Sequence, residues 1–258
     1  MKLKGKHALI TGASRGIGRE IALAFAREGA SLSITSRSAD ELATLTGEIE
    51  STNVTSTIIV ADLAEQKADE KIVSRAQDKF GAIDILVNNA GVGSSANPAP
   101  VVDFSNEFWE KSLYLNLTVP YLLSKAVLPG MIEHGWGRII NIASIAARIG
   151  VLHGCAYSAS KSGLVGLTRT LALEVAQDGI TVNAINPGPT RTAMNDERIK
   201  YDAERTGKTL EEIEAACTPI GRRLEPVEIA PLAVYLASDD AAAVTGQSFH
   251  IDGGMFMA

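Results

Sequence analysis

The chain is poor in cysteine. Cys155 and Cys217 are the only two in 258 residues, and neither sits in the paired spacing that a metal site uses. No metal is expected, and at most one disulfide could form. The chain also lacks a basic excess: 24 Lys and Arg stand against 30 Asp and Glu, a net charge of −6. No basic stripe is visible, which argues against a nucleic-acid partner. No apolar run approaches the ~18 residues of a membrane span, so no membrane partner is expected. The start, Met1 to Lys6, carries charge, and His7, Thr11 and Arg15 interrupt anything like a signal-peptide core. The expected compartment is the cytoplasm. Internal repeats and low-complexity linkers are absent too.

What is present is an ordinary globular mixture, 46% hydrophobic and 21% charged, large enough to bury a core without a disulfide or metal staple. Short apolar runs at 7–10, 31–35, 57–60, 83–87, 138–142, 180–185 and 248–251 alternate with amphipathic segments. Those segments predict helices at 18–28, 39–50, 66–79, 106–133, 157–176 and 226–237. Such alternation predicts an α/β fold, a doubly wound, Rossmann-like parallel sheet with helices on both faces, formed as one domain over 1–258. The least regular stretch, 190–219, is charged and flanked by prolines. It follows a strand's carboxyl end, where such sheets bind ligands, so it reads as a lid over a cleft; a solvated helical insertion is the alternative.

Thr11-Gly12-Ala13-Ser14-Arg15-Gly16-Ile17-Gly18 joins the first strand to the first helix. Glycines let backbone approach a pyrophosphate, and the helix start offers unpaired N–H groups and a positive dipole end. Gly12, Ser14, Arg15, Gly16, Ile17 and Gly18 are therefore candidate dinucleotide contacts, although a tight turn without ligand remains open. The second strand ends Thr35-Ser36-Arg37-Ser38, with no acid before Asp40 to hold a ribose 2′-OH. Arg37 and Arg15 could instead hold a 2′-phosphate, unless both are simply exposed. NADP(H) is the expected cofactor, with NAD(H) possible.

Tyr157 and Lys161 lie four residues apart on one helix, hence on one face. A nearby ammonium favours phenolate, which predicts a lowered Tyr157 pKa and a general acid/base near neutral pH. Ser144 lies 13 residues earlier, just past the fifth strand.

Together with Asp62-Leu63, Asn88-Asn89-Ala90-Gly91, Asn116, Asn186-Pro187-Gly188 and Ile251-Asp252-Gly253-Gly254, these pieces make nearly the whole chain resemble the short-chain dehydrogenase/reductase family. The resemblance implies a catalytic set of Asn116, Ser144, Tyr157 and Lys161. Tyr157 would exchange a proton with the substrate oxygen, and Ser144 would hydrogen-bond that oxygen. Lys161 would hold the nicotinamide ribose, and Asn116 a proton-carrying water chain. Asp62 and Leu63 would lie near the adenine, with Asn88, Ala90 and Gly91 beside the cofactor and Pro187, Gly188, Thr190 and Thr192 at its nicotinamide end. Taken alone, Asn88 and Asn116 read as strand-end or helix hydrogen bonders, and Asp252 to Gly254 as a turn. His153 and Cys155 could line a pocket or serve packing; Trp109 and Trp136 read as packing residues.

The family pairs long helices such as 106–133 and 157–176 across a two-fold axis, and it often sets apolar tails like 255–258 against a neighbouring subunit. A homotetramer is therefore expected. Much of the chain also looks like bacterial 3-oxoacyl carrier-protein reductases, which offer basic residues to an acidic carrier. Here the corresponding stretches carry Glu133, His134 and Glu174 instead. The expected substrate is a small-molecule carbonyl or alcohol. A 3-oxoacyl thioester is one alternative, and a catalytically silent NADP-sensing protein is another.

Overall fold

A computed structural model of the protein describes residues 1–257; Ala258, the end of the apolar tail, lies outside the described residues. Seven parallel strands form one sheet in the order β3-β2-β1-β4-β5-β6-β7. They are β1 (His7–Thr11), β2 (Ser31–Ser36), β3 (Ser56–Val60), β4 (Ile85–Asn88), β5 (Gly137–Ile142), β6 (Ile180–Pro187) and β7 (Ser248–Ile251). The strand order reverses between β1 and β4, which leaves a crevice at the carboxyl ends of those strands. The expected doubly wound, Rossmann-like architecture is the one found.

Side chains alternate across each strand, and both faces are buried in β1, β4, β5 and β6, while the edge strands β3 and β7 are partly exposed. Ile10, Ile34 and Ile140 join the side covered by α1 (Gly16–Arg27), α2 (Ala39–Glu50) and α9 (Ala230–Ala237). Leu9, Leu86 and Ile139 join the side covered by α3 (Ala68–Phe80), α5 (Val119–His134) and α6 (Cys155–Val175).

Three sequence expectations change in detail. The helix expected at 106–133 is α4 (Asn106–Leu113), a π-helical turn (Tyr114–Thr118) and α5 in unbroken succession. Across 106–134 this run is long and apolar enough to cross a membrane, contrary to the expectation that no segment would be. Its Val119, Leu123, Val127 and Met131 are buried in the core shared with α3, the pattern of an internal helix. The irregular stretch at 190–219 contains two helices, α7 (Ala193–Thr206) and α8 (Leu210–Ala216). Thr192 starts the first by accepting from Asn195 N at 3.3 Å. Thr209 and Glu212 start the second as a reciprocal capping box.

Candidate active site

The phosphate-type turn sits at the β1/β4 crevice and is stitched to the end of β4. Thr11 Oγ1 donates to Val87 O at 3.2 Å and accepts from Asn89 N at 3.0 Å and Ala90 N at 3.1 Å. The Asn89 carboxamide donates to Thr11 O at 2.9 Å and Gly12 O at 3.0 Å. Asn89 is therefore the strut of the turn, a role not assigned to it from sequence although it lies inside the quoted Asn-Asn-Ala-Gly motif. The glycines are sterically required. A Cβ on Gly18 would stand 2.4 Å from Asn89 Nδ2 and 2.5 Å from Gly12 O. Gly12, at φ +62°, would place a Cβ 2.9 Å from Ala90 Cα. Helix α1 begins at Gly16 with no side-chain cap and no acid in its first turn, so its leading N–H groups have no side-chain partner. Ser14 and Ile17 line this turn half-buried, and Arg15 is exposed at the helix start.

Arg37 stands past β2 with its side chain 74% exposed, and its guanidinium is 4.0 Å from Asp62. Asp62 Oδ1 accepts from Ala64 N at 2.9 Å, and Leu63 is buried beside it. The Asn88 carboxamide turns inward, donating to Asn141 Oδ1 at 2.9 Å and approaching Ser124 Oγ at 3.4 Å. Its Nδ2 thus ties β4 to its neighbours, while its Oδ1 is buried without a hydrogen-bond partner.

Gly91 brings the next layer together. A Cβ there would lie 2.6 Å from Asn116 Oδ1 and 3.9 Å from Lys161 Nζ. Asn116 sits fully buried on the π-helical turn and grips the backbone of Val92 from both sides. Its Oδ1 accepts from Val92 N at 2.8 Å, and its Nδ2 donates to Val92 O at 3.0 Å. The same Nδ2 reaches Ser160 Oγ at 3.1 Å, and Ser160 Oγ donates to Tyr157 O at 2.8 Å. A π turn widens one helical step, which is a recurrent feature of functional sites.

Lys161 is 5% exposed, and its Nζ donates to Ile142 O at 2.8 Å. Burial lowers its pKa to about 8. Ser144 is buried; its Oγ accepts from Ala146 N at 3.1 Å, and its O–H is directed to the Tyr157 phenol. The Tyr157 pKa departs from the expectation. Burial pushes it up, and the pull in the other direction comes from the Ser144 hydroxyl rather than from Lys161. The Lys161 ammonium lies 5.8 Å from the Tyr157 ring centre and is committed to the Ile142 carbonyl. Desolvation of the phenolate therefore wins among the chain's own groups.

The far wall is the start of the 190–219 segment. Pro187 ends β6, and Gly188 N donates to Ile251 O at 2.9 Å. Thr190 is buried and donates to Gly188 O at 2.9 Å. A Cβ on Gly16 would meet the Thr192 methyl at 3.0 Å, so this segment lies directly over the phosphate-type turn. Asp252 accepts from Gly254 N and Phe256 N at 2.9 and 3.1 Å, which makes it the turn residue it was read as. His153 bonds the Tyr201 hydroxyl of α7, a contact that nothing in the sequence pattern announced. Trp136 packs between Lys6 and Arg138 and donates to Asp239 at 2.9 Å.

The crevice and the glycine turn thus adjoin the layer of Ser144, Tyr157 and Lys161. A family model described as enoyl-(acyl carrier protein) reductase matches residues 12–256. The chain is 38% identical over 257 residues to a 3-oxoacyl-[acyl-carrier-protein] reductase of Vibrio harveyi, covering 100% of both chains. It is 38% identical over 256 residues to a D-beta-hydroxybutyrate dehydrogenase of Rhizobium meliloti, covering 96% of this chain and 98% of the relative. A crystal structure of an actinorhodin polyketide ketoreductase with NADPH superposes with a TM-score of 0.91 at 37% identity, covering 97% of each chain. The chain belongs to the short-chain dehydrogenase/reductase family. Within it, the protein is an oxidoreductase of the kind acting on a CH–OH/carbonyl pair, similar to ketoreductases and 3-oxoacyl-carrier-protein reductases.

Proposed function

We propose that the protein is an NADP(H)-dependent enzyme that interconverts a carbonyl and a secondary alcohol on a small-molecule substrate. The observation that carries this reading is the grouping of buried Ser144 and Lys161 with Tyr157 beside a glycine cradle that no Cβ could enter. That cradle and the uncapped start of α1 suit a dinucleotide: Gly12, Ser14, Gly16, Ile17 and Gly18 would hold its pyrophosphate. Asp62 and Leu63 would meet the adenine, and Ala90, Gly91, Pro187, Gly188, Thr190 and Thr192 would line the nicotinamide half. Arg37 is only loosely paired with Asp62, so with Arg15 it is free to take a 2′-phosphate. When bound, the cofactor supplies or accepts the hydride.

The remaining chemistry belongs to the chain. Tyr157 holds a proton at Oη and delivers it to the substrate oxygen as charge builds there; in the alcohol direction it takes that proton back. With substrate bound, Ser144 donates its O–H to the same oxygen. Burial keeps the phenol protonated, which suits a donor. Lys161 spends one N–H on Ile142 and has two left for ribose hydroxyls and for lowering the phenol pKa as it gives up its proton. Asn116 fixes Val92 and, through Ser160, the backbone of Tyr157 itself, along the expected proton path to water.

The segment 190–219 acts as a lid on the single dinucleotide-binding domain. The working form is a cytoplasmic homotetramer built on the helices at 106–134 and 155–175. A 3-oxoacyl thioester is the second reading, favoured by the name of the Vibrio relative. Glu133 and Glu174, where a carrier protein would want cations, weigh against the carrier-bound form. The test is a screen of ketones, 3-oxoacyl thioesters and alcohols that follows NADPH absorbance. Turnover of free ketones supports the first reading, and cofactor binding with no turnover of any substrate supports a silent sensor.

A further inference from the structure

Helices α7 and α8 are held from two sides. On the outer side, Arg223 pairs with Asp196 of α7 at 2.5 Å and Glu214 of α8 at 3.1 Å; Arg191 pairs with Glu214 and with Glu225. On the inner side, α7 meets the loop 148–154, which joins the turn after Ser144 to the helix that carries Tyr157. His153 in that loop has φ +58°, in the left-handed region that non-glycine residues seldom adopt, His, Asn and Asp more often than others.

Two side chains of α7 hold this loop. The Tyr201 hydroxyl shares a hydrogen bond with His153 Nδ1, and Arg198 Nη1 donates to Leu152 O at 3.0 Å. Arg198 is in turn fixed by two bonds to Asp202, at 2.8 and 2.9 Å, and its guanidinium lies 5.4 Å from the Tyr201 ring centre. At its other end, α7 accepts from Ser95 Oγ at Met194 O, 3.1 Å away, and Thr192 closes over Gly16. One helix thus touches the phosphate-type turn, the loop after β4 and the loop before Tyr157.

We infer that Tyr201 and Arg198 are positioning residues: by gripping His153 and Leu152 they fix the loop that sets Tyr157 against Ser144, so seating the lid assembles the reacting pair. This rests on the roles given above to Ser144 and Tyr157. A lid that only excludes water would need no bonds to the backbone and ring of the loop between those two residues.

The experiment pairs hydrogen exchange with steady-state kinetics on Tyr201→Phe, which removes one hydroxyl. Losing one such bond shifts a local equilibrium roughly two- to tenfold. Amides in 149–154 should exchange faster by that factor, and kcat should fall by a similar one, with KM and NADPH affinity within about twofold of wild type. His153→Gly tolerates the left-handed backbone but removes the ring, so it should lose kcat comparably, and the double variant should lose no more than either single. Wild-type exchange across 149–154 in Tyr201→Phe, or wild-type kcat in His153→Gly, would overturn the inference. If the wild-type protein turns over no carbonyl at all, the functional reading falls, while the exchange measurement still decides whether α7 holds the loop.

Discussion

Replacing Lys161 by methionine should stabilise the cofactor-free protein while destroying its chemistry. The Nζ is buried, makes one hydrogen bond to the Ile142 carbonyl, and has its pKa lowered from 10.5 to about 8 by desolvation. Each pKa unit corresponds to about 1.4 kcal/mol, so at neutral pH the charged lysine costs the fold on the order of 3 kcal/mol. Methionine keeps most of the length and removes the charge, at a loss of about 1 kcal/mol for the hydrogen bond. The net gain is about 2 kcal/mol, or roughly 5 °C in Tm for a chain of this size. The sign of the pH dependence follows from the depressed folded-state pKa. Between about pH 8 and 10.5 the unfolded chain binds the proton that the folded one has lost, so wild-type stability rises with pH through that window. The advantage of Lys161→Met should therefore shrink by about 2 kcal/mol between pH 7 and about pH 9.5. Paired thermal melts of the two proteins at both pH values measure it. A variant less stable than wild type at neutral pH, or a gap that does not close as pH rises, would refute the reasoning.

Other expectations follow from the same geometry. Gly18→Ala drives a methyl into Asn89 and the Gly12 carbonyl, an overpacking worth about 1–3 kcal/mol that should lower Tm and abolish NADPH binding in a fluorescence titration. Arg37→Asp should weaken NADPH use by roughly ten- to a hundredfold, the cost of a charge-assisted phosphate contact, with far less effect on NADH. A higher wild-type kcat/KM with NADH than with NADPH would contradict that assignment. Light scattering at micromolar concentration should find a tetramer, and a 27.2 kDa monomer would remove the assembly proposal.

The parts of this protein legible in its sequence are those set by local pattern. Buried parallel strands must be apolar on both faces, so runs such as Ala8-Leu9-Ile10 announced themselves, and their alternation with amphipathic helices left one simple topology. The turn from Thr11 to Gly18 was legible because glycine is demanded by backbone contact, here with Asn89 and Ala90. Helices α7 and α8 were legible only as the alternative of a solvated helical insertion, because few of their residues are buried: Ile199 and Ala203 in the first and none in the second. The Thr209 and Glu212 capping box was nonetheless available in the sequence and marks where the second begins. The π turn at Asn116 could not be read, since one extra residue in a helix leaves no compositional trace. Non-local effects were beyond reach altogether. The direction of the Tyr157 pKa depends on how deeply folding buries the phenol and on Lys161 turning to Ile142. The clasp of Tyr201 on His153 joins residues 48 apart in the chain.

The central claim is that Tyr157 passes the proton while Ser144 steadies the oxygen. Its most direct test is the single-turnover rate of NADPH oxidation with the best ketone from the screen, measured for wild type and Tyr157→Phe. The substitution keeps the ring and removes only the proton donor. The account predicts a fall of about 10²–10⁴-fold with NADPH affinity retained, the range general acid catalysis supplies. A Tyr157→Phe protein that turns over at close to the wild-type rate would contradict it.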